Sequence, residues 1–289
     1  MNNPGVIWWP SPAKLNLFLH INGRYPNGYH QLQSLFQILD FGDELAFDIN
    51  NSGNVVLEDP VAGVANEDNL IIKAALLLQR TLPNNPSKNL GCTIYLRKRL
   101  PMGGGIGGGS SNAATTLVVL NQLWGAGLSE SELAKLGLTL GADVPIFIQG
   151  KTAFAEGVGE KLQPTELDTK TYLVLFPDCH ISTADVFSLP KLPRDSAKIN
   201  FSDYRFSDTR NDCQKLVCER YPNVAKALDW LLEYAPSRMT GTGACVFAVF
   251  ESRQEALNVQ ALLPQGSNSF VANGVNTSPL HRQIQTQVN

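Results

Sequence analysis

The seven residues Gly103 to Gly109 contain six glycines, broken only by Ile106, and they constrain this chain more than any other segment. So dense a run is costly in chain entropy and would weaken any helix or strand built from it. Its benefit is access. Backbone N–H groups with no Cβ atoms around them can close on an anion. The apolar pattern that follows (Leu117, Val118, Leu120, Leu123) predicts a helix from about Ser110 towards Trp124. The positive N-terminal end of that helix adds to the same anion site. Ser110 and Ser111 stand where a hydroxyl can cap the helix, meet a phosphate or meet a magnesium ion. A flexible linker fits poorly, because the helix follows at once.

The kind of phosphate loop can be narrowed. A Walker A loop needs Gly-x-x-x-x-Gly-Lys-Ser/Thr, and Ser110 follows Gly109 where the lysine should be. A dinucleotide fingerprint fits formally on Gly103, Gly105 and Gly108, but a run this rich in glycine nearly guarantees that match. The context is also wrong. The preceding segment, Leu96 to Pro101, is charged and ends in proline, and no acid stands roughly 20 residues on to hold a ribose, the first after the loop being Glu130. What remains is a non-Walker phosphate loop at a helix N-terminus.

The bulk of the chain limits the function classes. Its 289 residues are 43% apolar and 17% charged, which suits one large or two ordinary globular domains. A net charge of −3 argues against nucleic acid as a partner, since that needs clustered Lys/Arg. No apolar stretch is long enough to cross a membrane, and Met1 to Pro12 lacks the features of a secretory signal. The five cysteines (Cys92, Cys179, Cys213, Cys218, Cys245) are irregularly spaced, as expected of reduced thiols in a cytoplasmic protein. Neither they nor the four histidines show metal-binding spacing. The sequence leaves monomer and homodimer open.

Patterning predicts an α+β fold rather than a doubly wound sheet, because strands and helices do not alternate strictly. Lys14 to Ile21 alternates, with Leu15, Leu17, Leu19 and Ile21 on one predicted face and Lys14, Asn16, Phe18 and His20 on the other. Arg24 to Gly28 carries turn signals. Further strands are predicted around 44–49, 55–58, 93–100, 172–176, 245–250 and 270–272. Helices are predicted after Asn66 to Asn69, from Ser129 with its capping-box partner Glu132, and around 212–221, 224–234 and 254–263. The run after Asp143 reads as an apolar strand. A polar stretch around 162–172 sets the expected domain boundary, giving residues 1–166 and 167–289.

Pro101 to Ala114 resembles the second signature motif of the GHMP kinases. Pro12-Ala-Lys-Leu-Asn-Leu is similar to that family's N-terminal strand motif, and Thr240-Gly-Thr-Gly-Ala-Cys-Val-Phe to its C-terminal glycine motif. Three motifs in order over most of the chain are far more specific than one. Ser11 to Gln37, Leu140 to Phe147 and Phe154 to Glu160 resemble one branch, whose substrate is a cytidine-diphosphate-linked methylerythritol of the non-mevalonate isoprenoid pathway. The resemblance implies a two-domain kinase with its active site in the interdomain cleft. It also implies ATP as co-substrate with Mg2+, and phosphoryl transfer to the 2-hydroxyl of that small molecule.

It further assigns roles. Asp143 reads from its surroundings as a cap or turn carboxylate; the resemblance makes it the group that accepts the hydroxyl proton, with Lys14 as partner. A lysine in an apolar strand is unusual and either snorkels to solvent or meets a counter-charge. ATP would lie on Pro101, Met102, Gly103, Gly104, Gly105, Ile106, Gly107, Gly108, Gly109, Ser110 and Ser111, with Asn69 and Lys98 near the adenosine. Asn16 would bond the substrate. Tyr29 would stack on the cytosine and His30 bond its edge, while Phe187 closes the stack with Thr183 nearby. The alternatives are a GHMP kinase for a smaller alcohol and a non-catalytic nucleotide-binding module. No role is read for Asp43, Asp178 or Arg238.

Overall fold

The computed structural model describes residues 7–82 and 89–288; Met1 to Val6, half of the N-terminal segment read above, lie outside them. In chain order the elements are β1 (Trp8–Arg24), β2 (His30–Asn50), β3 (Val55–Leu57), α1 (Leu70–Thr81), β4 (Gly91–Arg97), α2 (Gly108–Leu123), α3 (Glu130–Leu140) and α4 (Val144–Gln149). There follow β5 (Ala153–Gly157), β6 (Lys161–Pro164), β7 (Thr171–Phe176), α5 (Thr183–Ser188), α6 (Gln214–Arg220) and α7 (Pro222–Leu232). The chain then forms β8 (Ser237–Met239), β9 (Val246–Phe250), α8 (Arg253–Gln260), β10 (Asn268–Val275) and α9 (Pro279–Val288).

The hairpin β1–β2 organises the molecule. Its turn closes where the Pro-Asn-Gly signal lies, with Tyr25 N–H donating to Tyr29 O at 2.7 Å and Gly28 in the left-handed region at φ 88°. The predicted alternation along β1 fails, however. Register shifts between Asn16 and Leu19 and on either side of it rotate the side chains, and both faces of the strand are covered. Leu15, Leu17 and Phe18 therefore share one apolar cluster, while Leu19 and Ile21 enter another.

β2 is the hub of the sheet. The path runs β3-β4-β2-β10-β7-β9-β8, with β1 and β5 also paired to β2 and β6 to β5. Among the strand pairs of the described residues, only β3–β4 is parallel. One cluster packs α1, α2 and α4 on this sheet through Leu45, Ile94, Ile71, Leu78, Leu117 and Phe147. A second lies under α6 and α7, through Leu173, Val217, Val224, Leu231 and Val246. The third joins the two halves of the chain: Leu15, Phe18, Leu35 and Ile106 meet Val174 and Phe247. Each fully buried side chain of this size favours folding by about 1.5–3 kcal/mol, against a comparable entropy cost of ordering the chain. Arg238, for which the sequence offered no role, is buried and spans these halves. Its guanidinium donates to Leu17 O and Phe206 O and lies 4.0 Å from the Phe206 ring centre. Burial lowers its pKa to about 10.

Local signals place several elements as expected. Ser129 caps α3, its hydroxyl accepting from Glu132 N–H while the Glu132 carboxylate accepts from Ser129 N–H. The apolar run after Asp143 corrects the sequence reading: it is helix α4, not a strand. Five apolar residues are too few for periodicity to separate a buried strand from a buried helix. No helix among the described residues is long and apolar enough to cross a membrane, and all five cysteines are free thiols.

Candidate active site

The glycine segment leaves β4 at Arg97 and enters α2 at Gly108, two residues before the predicted start. It is held from two directions. Asp43, on β2 and 1% exposed, accepts from Arg99 N–H at 2.7 Å, Leu100 N–H at 2.8 Å, Lys98 Nζ at 2.8 Å and Asn112 Nδ2 at 3.0 Å. One carboxylate thus fixes both the approach to the loop and the first turn of α2. From the other side the Thr240–Cys245 turn presses against it, with Cys245 N–H donating to Gly104 O at 3.0 Å. Gly105 needs to be glycine on two counts: its φ is 72°, and a Cβ would stand 2.5 Å from Thr240 O. At Gly107 (φ 75°) a Cβ would meet the Phe147 ring at 2.8 Å. The first and third glycine motifs named above are therefore one packed unit.

Lys14 lies against this unit. Its ammonium, 3% exposed, donates to Asn16 Oδ1 at 2.6 Å and Gly105 O at 3.0 Å, and its third partner is Asp143 Oδ2 at 3.2 Å. Three donors meet three acceptors, so the buried charge is satisfied. Asp143 occupies the N-cap position of α4 yet makes no capping bond, which leaves its carboxylate for Lys14 and the cleft, where it is 35% exposed. Asn16 is anchored in turn: Nδ2 donates to Ser34 Oγ at 2.8 Å and its backbone N–H to Thr240 Oγ1 at 2.9 Å.

Two adjoining cavities lie here, and the pair lines one of them. One, about 340 Å³, follows the glycine loop and is lined by Asn69, Lys98, Pro101 to Ser110 and Asn112. The other, about 280 Å³, is lined by Lys14, Asn16, Ser34, Asp143, Thr183 and Phe187. Gly105 and Ser110 belong to both walls. A larger cavity, about 880 Å³, opens elsewhere, between Tyr204, Phe206 and α8, and includes neither the loop nor the Lys14–Asp143 pair. Size alone would mislead here.

Several predicted site residues are placed differently from expectation. Ser111 is fully buried and its hydroxyl meets Ser11 Oγ at 3.0 Å, so it faces β1 rather than either cavity. Asn69 caps α1, accepting from Ile71 N–H at 2.9 Å, and Lys98 is paired with Asp43, although both still line the loop cavity. Thr183 Oγ1 lies 2.9 Å from Thr242 Oγ1. Tyr29 is 65% exposed, and neither it nor His30 lies in the cavity wall. Phe187 instead stacks on His30, centroids 5.0 Å apart. Sequence reasoning missed Asp43, Ser34 and Arg194. Arg194 Nε donates to His30 Nε2 at 3.0 Å. Burial first, then Arg194 and Arg24, hold the His30 pKa below its ordinary value. Asp43 and Arg194 sit in no recognisable local motif, and Ser34, though inside the Ser11 to Gln37 resemblance, carries no signal of its own.

The family pattern for the GHMP kinases N terminal domain matches residues 69–151, and that for the GHMP kinases C terminal matches 197–265. A 4-diphosphocytidyl-2-C-methyl-D-erythritol kinase of Pseudoalteromonas atlantica is 65% identical over 96% of both chains. One of Tolumonas auensis is 56% identical over 99% of each. The crystal structure of a 4-(cytidine 5'-diphospho)-2C-methyl-D-erythritol kinase superposes with a TM-score of 0.81 at 28% identity, covering 93% of this chain and all of that one. With both family patterns in order and relatives this similar along its whole length, the chain belongs to the GHMP kinases, in the 4-diphosphocytidyl-2-C-methyl-D-erythritol kinase family.

Proposed function

We propose that this chain transfers the γ-phosphoryl group of ATP to the 2-hydroxyl of 4-diphosphocytidyl-2-C-methyl-D-erythritol, a step towards isoprenoid precursors by the non-mevalonate route. The observation that carries the reading is the Lys14–Asp143 pair in the wall of a cavity that shares Gly105 and Ser110 with the glycine-loop cavity. One cavity has the glycine backbone that suits a triphosphate; the other opens towards the aromatic rings that suit a base. Residues 1–166 supply the loop and the pair, and 167–289 supply Thr183, Phe187 and the Thr240–Cys245 turn.

The chemistry follows from charge and position. The substrate hydroxyl oxygen forms a bond to the γ-phosphorus, the bond to the bridging oxygen breaks, and ADP departs with that electron pair. The hydroxyl proton passes to the Asp143 carboxylate, which Lys14 orients. Phosphoryl transfer has a loose transition state, so placement and charge stabilisation outweigh basicity. Lys14 serves both, because its bond to Gly105 O ties the ammonium to the phosphate loop. Among the described residues no cluster of three His, Cys, Asp or Glu side chains could cage a metal. The Ser110 hydroxyl, in the wall of both cavities, does suit Mg2+, which takes few protein ligands and shares nucleotide phosphates. Ser110 would hold the ion, and it would neutralise phosphate charge.

ADP release with the cytidyl substrate, measured beside mevalonate, homoserine and galactose, tests the reading. Turnover should be confined to the cytidyl substrate. Equal or better turnover of a smaller alcohol would overturn the substrate assignment.

A further inference from the structure

We propose that Arg194 is a positioning residue that fixes which nitrogen of His30 carries the proton, so that the ring presents Nδ1–H to the substrate base. The proposal takes from the reading above the identity of the base and its place beside His30. Arg194 Nε donates to His30 Nε2 at 3.0 Å. A guanidinium has donors and no acceptor, so Nε2 must contribute its lone pair and the neutral ring must be protonated at Nδ1. The arginine is itself held: Nη1 donates to Leu192 O at 2.9 Å, and Nη2 to Leu189 O at 3.1 Å and Phe187 O at 3.3 Å. The same side chain therefore fixes the histidine ring and the segment that carries the aromatic stacked on it.

His30 is 8% exposed, and its Nδ1 has no hydrogen-bond partner among the described residues. The charged groups beside the ring are Arg194, from the segment after α5, and Arg24, opposite His30 in the β1–β2 register. Both are cations, and with burial they keep the ring neutral at pH 7, where the choice of tautomer matters. A ring fixed as an Nδ1–H donor matches the acceptor edge of cytosine, its N3 and O2. It mismatches a base that offers N3–H.

Imidazole nitrogen spectra of the full-length protein at pH 8, with His30 assigned by comparison with His30→Gln, should show Nδ1–H in the wild type. Arg194→Met should shift the ring towards Nε2–H. KM for the cytidyl substrate should rise about five- to tenfold at pH 8, the worth of one hydrogen bond, while KM for ATP holds. The penalty should shrink at pH 6, because a doubly protonated ring regains its Nδ1 donor. Arg194→Lys, which keeps a cation able to donate, should restore part of the affinity. A wild-type ring protonated at Nε2 overturns the proposal. So does a KM penalty that is the same at pH 8 and pH 6, which would mark a merely structural role. A tautomer shift without any change in cytidyl KM removes His30 from base recognition and the positioning role with it. Absence of cytidyl turnover in the wild type would instead defeat the substrate reading, while the spectra would still decide whether Arg194 sets the ring.

Discussion

At the glycine-loop end of the cleft, the Lys14 ammonium meets three fixed oxygens and Gly105 lies against the backbone of Thr240 and Gly243. At the other end Tyr29 projects from a turn into solvent, and the His30 ring beside it is fixed by one arginine and one stacked phenyl. The first end is built for charge. Oriented dipoles and an ammonium stabilise a developing charge only if they need no rearrangement when it appears. On the proposed function the second end takes a flat, neutral ring, whose stacking energy tolerates some play. Rigidity is thus concentrated where electrostatics require it, and substitutions at the two ends should fail in different ways.

The largest expected effect is at Asp143. Asp143→Asn keeps the shape and one Lys14 partner but removes the charge and most of the basicity. A positioned general base contributes about 10²–10⁴-fold, so single-turnover transfer at saturating ATP and substrate should slow by that range. ATP affinity should persist, since the loop cavity does not include Asp143. A folded variant with near wild-type transfer would remove Asp143 from the chemistry and leave the pair as a structural ion pair.

Next come the loop glycines, which separate packing from phosphate access. Gly107→Val places a β-branched residue at φ 75° with its Cβ 2.8 Å from Phe147 and 3.3 Å from Lys14 Cε, so it should cost about 2–4 kcal/mol of stability as well as activity. Gly108 is different: a Cβ there would find Leu100 at 3.5 Å, an ordinary contact. Gly108→Ala should melt at or slightly above the wild-type temperature yet raise KM for ATP. If both variants unfold alike, the loop's glycines serve packing alone.

These contrasts also mark what the sequence made legible. Left-handed backbone demands glycine, so the loop and the Thr240–Cys245 turn are visible in composition, and the α3 cap is visible because its partners are three residues apart. Lys14 and Asp143 were found through motifs. Their ion pair depends on how β1 and α4 meet, which no local pattern records. Asp43 and Arg194 had no signal at all: each matters through partners far along the chain, such as Asn112 for Asp43 and His30 for Arg194. The even faces expected of β1 failed for a related reason, since bulges are set by the partner strand.

A smaller effect separates the two aromatics of the base end. Base–aromatic stacking is worth about 1–3 kcal/mol by alanine substitution, so Tyr29→Ala and Phe187→Ala should each raise KM for the cytidyl substrate and spare that for ATP. Phe187→Ala should cost more, because it also frees the His30 ring. Equal losses for both substrates in titrations of either variant would show that the ends are not independent.

The smallest effect tests how firmly each end excludes a proton. His30 stands at the base end; His281 stands behind the loop end, its Nε2 2.8 Å from Ile148 O on the helix that Asp143 begins. Burial lowers the pKa of both, and of His20, below the ordinary 6.5. As pH falls through about 6.5 the unfolded chain takes up protons that these rings refuse, so the unfolded state binds more protons and stability falls. Thermal melts should therefore be flat from pH 8 to 7 and decline below about 6.5, with each histidine contributing on the order of 1 kcal/mol or less. His30→Gln and His281→Gln should each flatten that decline, and the size of each change measures how strongly its end refuses the charge. The His281 ring donates to a carbonyl that would also favour its cation, which offsets part of the burial. The decline should therefore flatten more for His30→Gln, because burial, Arg194 and Arg24 all disfavour its cation. Were His30→Gln to leave the pH dependence unchanged while His281→Gln removed it, the base end would be open enough to accept a proton in the folded state. The contrast in rigidity would then be larger than the static contacts imply.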